Sequence, residues 1–278
     1  MVIMSKEMIN LDYLELKKSS DQFISNYPIP HIVLDNFLNI SFFKEINSEI
    51  QIINDLINQN QNNFYNTDTE KNKWISKNIE LPENMKKLLQ FLNSEEWILN
   101  LENLTRILGL LGTVNLNKKI SNYHVMKENG FLGSHIDHSS DPDTGFPHVL
   151  NIILYLSNDW KEEYGGSTVF YNHNGKEIKK EIKYKANRAV IFLHSPYSFH
   201  GVTPILGNKG TSRSTIYIDY FSKRLNPFEN LKLDITRKWF DHDTTFILPR
   251  TLDYFKKENK YYLKSLIKYK LKKFKSYF

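Results

Sequence analysis

The chain has 278 residues, of which 40% are hydrophobic and 14% aromatic; this is enough for one enzyme-sized domain with elaborations and too apolar for wholesale disorder. It contains no cysteine, which excludes disulfides, thiolate zinc sites and a cysteine nucleophile and leaves His, Asp and Glu as the strong metal ligands. The net charge of +6 comes from the end of the chain: residues 255–278 hold nine lysines against the single acid Glu258, so the preceding body sums to about −2 and is not a basic nucleic-acid binder.

The opening stretch, MVIMSKEMINLDYLELKK, has no apolar run long enough for a signal peptide, and no segment approaches a membrane span, which predicts a cytoplasmic protein. Residues 1–27 read as an N-terminal extension. Apolar residues three and four apart predict amphipathic helices over 42–56 and 83–111, the second carrying Met85, Leu88, Leu89 and Leu92, then Trp97, Leu101 and Leu104. Residues 58–72 are Asn/Gln-rich and polar and read as a loop. All eleven glycines lie between Gly109 and Gly210, which marks a turn-rich β region between helical flanks. Strands are expected there over 119–126, then after a turn at Glu128-Asn129-Gly130 on the segment bearing His135, and over 148–156, 166–171, 189–193 and 214–221. About seven or eight short strands with long connections suit a sandwich or jelly roll better than a helix-covered parallel sheet. From 225 to 278 the chain reads as a basic helical extension, with Phe255, Leu263, Leu266, Ile267, Leu271, Phe274 and Phe278 near helical spacing and lysines between them. Three roles stay open for it: packing on the body with a solvated lysine face, contact with an anionic membrane surface or acidic polymer, and self-association or partner docking.

The chemistry is concentrated in His135-Ile136-Asp137. Residues two apart on a strand point to one side, so this strand aims an imidazole and a carboxylate at one point. His200, from a distant strand, would complete two His and one carboxylate on one face of a metal, the arrangement of non-heme Fe(II) oxygenases. Arg213 is then placed to hold the far carboxylate of a metal-chelated 2-oxoglutarate. An HxD tripeptide alone is common, and a lone strand histidine more often simply packs, so the surrounding motifs carry the weight.

Those motifs are YHVMKENGFLGSHIDHS, LNIILYLSNDWKEEYGGSTVFYN, ANRAVIFLHSPYSFHGVTPI and GTSRSTIYIDYF. In order and spacing they resemble the catalytic domain of the iron- and 2-oxoglutarate-dependent dioxygenases, in the prolyl-4-hydroxylase-like branch. PIPHIVLDNFLN, residues 28–39, resembles the strand that opens these domains. The resemblance implies a mainly β core with flanking helices: a double-stranded β-helix, or jelly roll, over 28–224, with its catalytic motifs within 122–221, helical N-terminal support, and the extension 225–278 outside it. It implies His135, Asp137 and His200 as iron ligands and Arg213 as the partner of the distal 2-oxoglutarate carboxylate. Tyr155 matches a position that offers a hydroxyl to that carboxylate, and Tyr123 matches a tyrosine lining the cosubstrate pocket. Thr215 and Tyr217 share Arg213's strand face as further donors. The family's basic residue usually follows the second His by about nine to eleven positions, whereas Arg213 is thirteen after His200 and Lys209 competes at nine. Arg213 is preferred because STIYIDYF alternates as a final strand should, and because a guanidinium makes a bidentate contact that lysine cannot.

The implied cofactors are Fe(II), 2-oxoglutarate and O2, with ascorbate as a reductant. Related halogenases replace the carboxylate ligand with a small residue, so Asp137 implies hydroxylation, with release of succinate and CO2. A branch acting on alkylated nucleic acids carries a second arginine six residues beyond the first; Asp219 stands there, which argues against that substrate class. The expected substrate is a peptidyl proline, an amino acid or another small metabolite. His138 follows the metal pair directly and is open to a supporting or substrate-contacting role. His31, His124, His148, His173, His194 and His242 show no metal-ligand spacing. The competing readings are a cupin-like metal hydrolase or isomerase, which has no use for Arg213, and a non-catalytic binding module on the same fold. Oligomeric state is not legible.

Overall fold

The structure is a computed structural model and describes residues 7–77, 79–112, 122–141, 144–208, 210–224, 227–228, 231 and 244–247. Helices dominate its first third: α1 (Ser20–Ser25), α2 (Ile40–Ser48), α3 (Ile50–Gln59), α4 (Glu83–Leu92) and α5 (Glu95–Thr105). Each long helix predicted from periodicity is broken in two. The first breaks at Glu49, whose buried carboxylate accepts from the backbone N–H groups of Asn84 (2.8 Å) and Met85 (3.1 Å) and so caps α4. The second breaks at Asn93-Ser94, where Ser94 Oγ accepts from the Trp97 N–H (3.3 Å) and starts α5. The polar stretch expected as a loop holds the end of α3 and a hairpin of β2 (Phe64–Tyr65) with β3 (Glu70–Ile75). Burial of Trp74, whose indole N–H donates to the Asn60 carbonyl (3.0 Å), overrides the polar composition there.

The remaining strands are β1 (His31–Leu34), β4 (Leu110–Leu111), β5 (Tyr123–Ile136), β6 (His148–Tyr155), β7 (Thr168–Tyr171), β8 (Ile178–Ile182), β9 (Ala189–Leu193), β10 (His200–Val202), β11 (Ser212–Ser222) and β12 (Thr245–Phe246). They run β1-β9-β6-β11-β5-β10-β7-β8 in space, antiparallel at each pairing, and the sheet curls into a half-barrel of the jelly-roll type. The curl passes through β5. Tyr123 to Lys127 pair with β11, whereas Leu132 and His135 pair with β10, so one strand serves both layers. The turn expected at 128–130 is instead an irregularity within this strand, with Asn129 at φ +60°.

β6 is buried at every residue because both of its faces are covered. Leu150, Ile152 and Leu154 join Ile191, Leu193, Ile216 and Ile218 against the helices. Ile153 and Tyr155 join Phe170, Tyr184, Val190 and Phe192 inside the barrel. The Trp97 indole donates to Tyr220 Oη (3.1 Å), and that hydroxyl donates to the Leu92 carbonyl (2.7 Å), tying α4 and α5 to β11. Truncating a buried ring of this kind costs about 3–5 kcal/mol.

The lysine-rich stretch 251–278 lies outside the described residues, as does Lys209. Within the region expected to be a helical extension, however, residues 245–246 form β12 and pair with Ile136 and His135. The apolar Phe246 ring finds a seat on the barrel, and backbone pairing with β5 satisfies the chain there. Among the described residues no helix is long and apolar enough to cross a membrane.

Just after β1, Asp35 accepts from Arg188 Nε (2.5 Å) and Nη2 (3.0 Å) and from Lys185 Nζ (2.9 Å), clamping β1 to the start of β9. The Arg188 hydrogen bond holds its carboxyl down at about 2. Asp35→Asn should therefore lower stability by roughly 1 kcal/mol, a figure discounted for solvent because 38% of the Asp35 side chain is exposed. The depressed carboxyl stabilises the fold above the unfolded value near ~3.9, and that contribution fades as pH falls towards 2. Urea unfolding of wild type and variant at pH 7 and near pH 2 checks this; a gap that stays constant with pH contradicts it.

Candidate active site

β10 and β5 place His200 opposite His135 as register partners, with ring centroids 4.2 Å apart. Asp137, one residue past the end of β5, turns its carboxylate between them: Oδ1 lies 3.3 Å from His135 Nε2 and Oδ2 lies 3.4 Å from His200 Nε2. In each imidazole Nδ1 sits 2.9 Å from the carbonyl oxygen two residues back, that of Gly133 for His135 and of Ser198 for His200. An Nδ1–H donating there leaves the Nε2 lone pair facing the carboxylate, the tautomer a metal ligand needs. The three donor atoms lie within 4.8 Å of one another, close enough to share one ion.

Electrostatics prepare the same set. Burial, with His135 alongside, pushes His200 down to about 4, so its Nε2 carries no proton at neutral pH. Burial alone would raise Asp137, but His200 and His135 hold it well below the usual carboxylate range. Asp137 Oδ2 accepts from Asn151 Nδ2 (2.9 Å) and from Tyr217 Oη (3.1 Å). Burial and the Asp137 and Asp219 carboxylates push the Tyr217 phenol well up, which keeps its proton available for that bond.

On β11 the alternation sends Arg213, Thr215, Tyr217 and Asp219 into the barrel. Arg213 is 3% exposed. Its Nε donates to the Gly166 carbonyl (2.8 Å) and its Nη2 to Thr168 Oγ1 (3.2 Å), and the guanidinium carbon lies 5.1 Å from the ring centres of both Tyr155 and Tyr184. The arginine ion pairs among the described residues belong to Arg106 and Arg188, not to Arg213. A buried guanidinium with no counter-charge among the described residues is costly to maintain. Gly166, at φ +66°, permits the packing: a Cβ there would stand 2.9 Å from the Trp160 ring and 3.2 Å from Arg213 Cδ.

Tyr155 lies beside Arg213, but its hydroxyl donates to Thr168 Oγ1 (2.6 Å). Thr168 thus accepts two hydrogen bonds and keeps its own proton to give. Thr215 is buried on the interior face, in register with Tyr155 and His124. Tyr123 departs from its expected place. It stands twelve residues before His135, an even spacing that on an uninterrupted strand means the same face. The irregularity in β5 changes the parity, and Tyr123 packs with Val125, Ile216 and Ile218 in the helix-side core, on the face opposite Arg213. His124 faces the interior instead and stacks on Tyr217 (5.4 Å).

Sequence reasoning missed Asn151, Thr168, Tyr184 and Phe246. Asn151 had a signal, as the single polar residue in VLNIILYL; the others had none. Phe246, from β12, stacks on the His135 ring (5.1 Å, 25°).

Residues 119–218 match the sequence profile of the 2OG-Fe(II) oxygenase superfamily. The chain carries a 2OG-Fe(II) oxygenase domain. It is thus an enzyme of the class that uses Fe(II), 2-oxoglutarate and O2, and the two imidazoles and carboxylate described above are a donor set of the kind that holds Fe(II). In fold the oxygenase is similar to a prolyl-4-hydroxylase from Pseudomonas putida (15% identity, TM-score 0.50, covering 75% of this chain and 99% of that one). It is likewise similar to a prolyl hydroxylase from Trichoplax adhaerens, solved with a hypoxia inducible factor oxygen degradation domain peptide fragment (18% identity, TM-score 0.50, covering 75% and 91%). At these identities the likeness is one of fold. No curated protein sequence matches the chain.

Removing one of the two hydrogen bonds that orient Asp137 should weaken metal binding without abolishing it. Tyr217→Phe is expected to lower Fe(II) affinity by about 10–100-fold, as read by anaerobic titration, while thermal stability of the metal-free protein changes little. Unchanged affinity would show that Asn151 alone suffices to fix the carboxylate.

Proposed function

We propose that this oxygenase hydroxylates a C–H bond of a peptidyl or small-molecule substrate, with His135, Asp137 and His200 holding Fe(II) and Arg213 holding the far carboxylate of 2-oxoglutarate. The observation that carries the reading is the buried Arg213, without a counter-charge among the described residues, inside the barrel whose other interior residues lead to the triad. A cupin-like hydrolase or a binding module gives that guanidinium nothing to do.

Bound Fe(II) with 2-oxoglutarate and O2 supplies the oxidation: one oxygen atom enters the substrate C–H as hydroxyl, the other enters succinate, and CO2 leaves. The chain's own residues do the positioning. Arg213 binds and orients a carboxylate through two N–H groups, and because Gly166, Thr168 and the Tyr155–Tyr184 stack already fix it, little reorganisation accompanies binding. Asn151 and Tyr217 hold Asp137 in the one orientation that faces both imidazoles. Asp137 keeps a carboxylate among the ligands, which fits hydroxylation. The peptide fragment held by the Trichoplax adhaerens structure favours a peptidyl substrate among the options.

The test is succinate formation from 2-oxoglutarate by the purified full chain with Fe(II) and ascorbate. Wild type should turn over, Asp137→Ala should be inactive, and Arg213→Ala should raise the 2-oxoglutarate KM by roughly 10–100-fold, the loss of a charge-assisted bidentate contact. An iron-loaded wild type that makes no succinate across a panel of proline-containing peptides and small metabolites would overturn the proposal; an unchanged KM in Arg213→Ala would remove Arg213 from it.

A further inference from the structure

Next to the first triad lies another group of three ligating side chains, His138, His148 and Asp219, whose donor atoms again lie within 4.8 Å of one another. His148 opens β6, Asp219 sits on the interior face of β11, and His138 follows Asp137 directly. His148 Nε2 is 3.2 Å from Asp219 Oδ1, and His138 Nε2 is 3.6 Å from Asp219 Oδ2, separations like the 3.3 and 3.4 Å of the first triad. Ligand bonds of about 2.0–2.1 Å in a tetrahedral site set donors roughly 3.3–3.5 Å apart; the first cluster meets this and the 3.2 and 3.6 Å of the second lie on either side of it.

The orientation of the His148 ring is also that of a ligand. His148 Nδ1 lies 2.9 Å from the His138 carbonyl oxygen, so Nδ1–H donates there and Nε2 turns to Asp219, the device already seen at His135 and His200. Asn151 sharpens the point. The Asp137 carboxylate only accepts, so the Asn151 amide nitrogen faces it and the amide oxygen faces His148 Nε2. Around that nitrogen stand two oxygens, from Asp219 and Asn151, neither of which has a hydrogen to give. A bare lone pair there would be repelled; with no metal bound, Asp219 outweighs burial and pushes His148 up to about 9, so Nε2 carries a proton that an entering ion would displace. That proton satisfies the His148 contact alone, whereas a metal ion would engage both imidazoles and both Asp219 oxygens at once. His194, stacked on His148 at 4.0 Å and 8°, braces the ring from behind, and the His138 side chain, 33% exposed, leaves an approach from solvent.

We infer that His138, His148 and Asp219 form a second site for a divalent transition metal, separate from the His135–Asp137–His200 triad. Imidazole and carboxylate donors suit Zn2+, Fe2+ or Co2+. Asn151 touches both clusters, so filling the second site would polarise the amide that orients Asp137.

The full chain, stripped of metal and then loaded anaerobically with Co(II) and desalted, should hold two cobalt ions by elemental analysis. His200→Ala should lose one, His138→Ala should lose the other, and the double variant should hold none. Asp219→Ala serves as an independent variant for the second site, with one cobalt expected. One cobalt per wild-type chain would overturn the inference and assign a proton to His148, and this outcome needs no variant to fold. Two cobalt ions retained in both His138→Ala and Asp219→Ala would overturn it equally. A cobalt ion lost in His138→Ala while His200→Ala loses none would uphold the second site and sink the iron assignment of the first, so the two readings fail separately.

Discussion

The register of β10 on β5 is the constraint on which the rest depends. Pairing His200 with His135 brings together residues far apart in the chain, and only one alignment of the two strands does so. A slip of one residue would turn His200 out of the barrel. That alignment is itself held by neighbours on both sides: β10 pairs with β7 from His200 to Val202, and β5 is anchored along β11 by five consecutive partners. The facing of the two imidazoles is therefore a property of the sheet rather than of the loop that follows Asp137.

Barrel walls of this kind carry an unusual load of buried polarity. Four interior positions of β11 alternate down one face as Arg, Thr, Tyr and Asp, and each of the two charged groups would be destabilising if left alone. Asp219 is balanced by His148 and His138, whereas Arg213 is held by neutral oxygens and aromatic faces. The contrast separates a charge that faces titratable partners from one that faces only neutral groups.

Much of this was readable in the amino-acid order. His135, Asp137, His200 and Arg213 are marked by spacing and by the strands around them, and the amphipathic helices by their apolar period. What stayed hidden depends on partners distant in sequence. Glu49 ends one helix by capping another that begins more than thirty residues later, so no local pattern announces the break. Tyr123, which by resemblance would line the cosubstrate pocket, lies on the helix side instead, because β5 carries an irregularity between it and His135 that only the pairing of the strand reveals. Thr168 and Tyr184 look like any core threonine and tyrosine until Arg213 is laid against them. The second histidine cluster draws one residue from each of three segments, and nothing in their order links them.

Phe246 gives the site a property unlike the others. Its ring rests against His135 and is carried on the same chain, more than a hundred residues downstream. Any molecule that would occupy that face of His135 competes with a tethered rival whose effective concentration is on the order of millimolar, whatever the protein concentration. The tether thus sets a threshold: weak binders to that face are outcompeted by the enzyme's own side chain, and only a ligand with further contacts to the barrel can displace it.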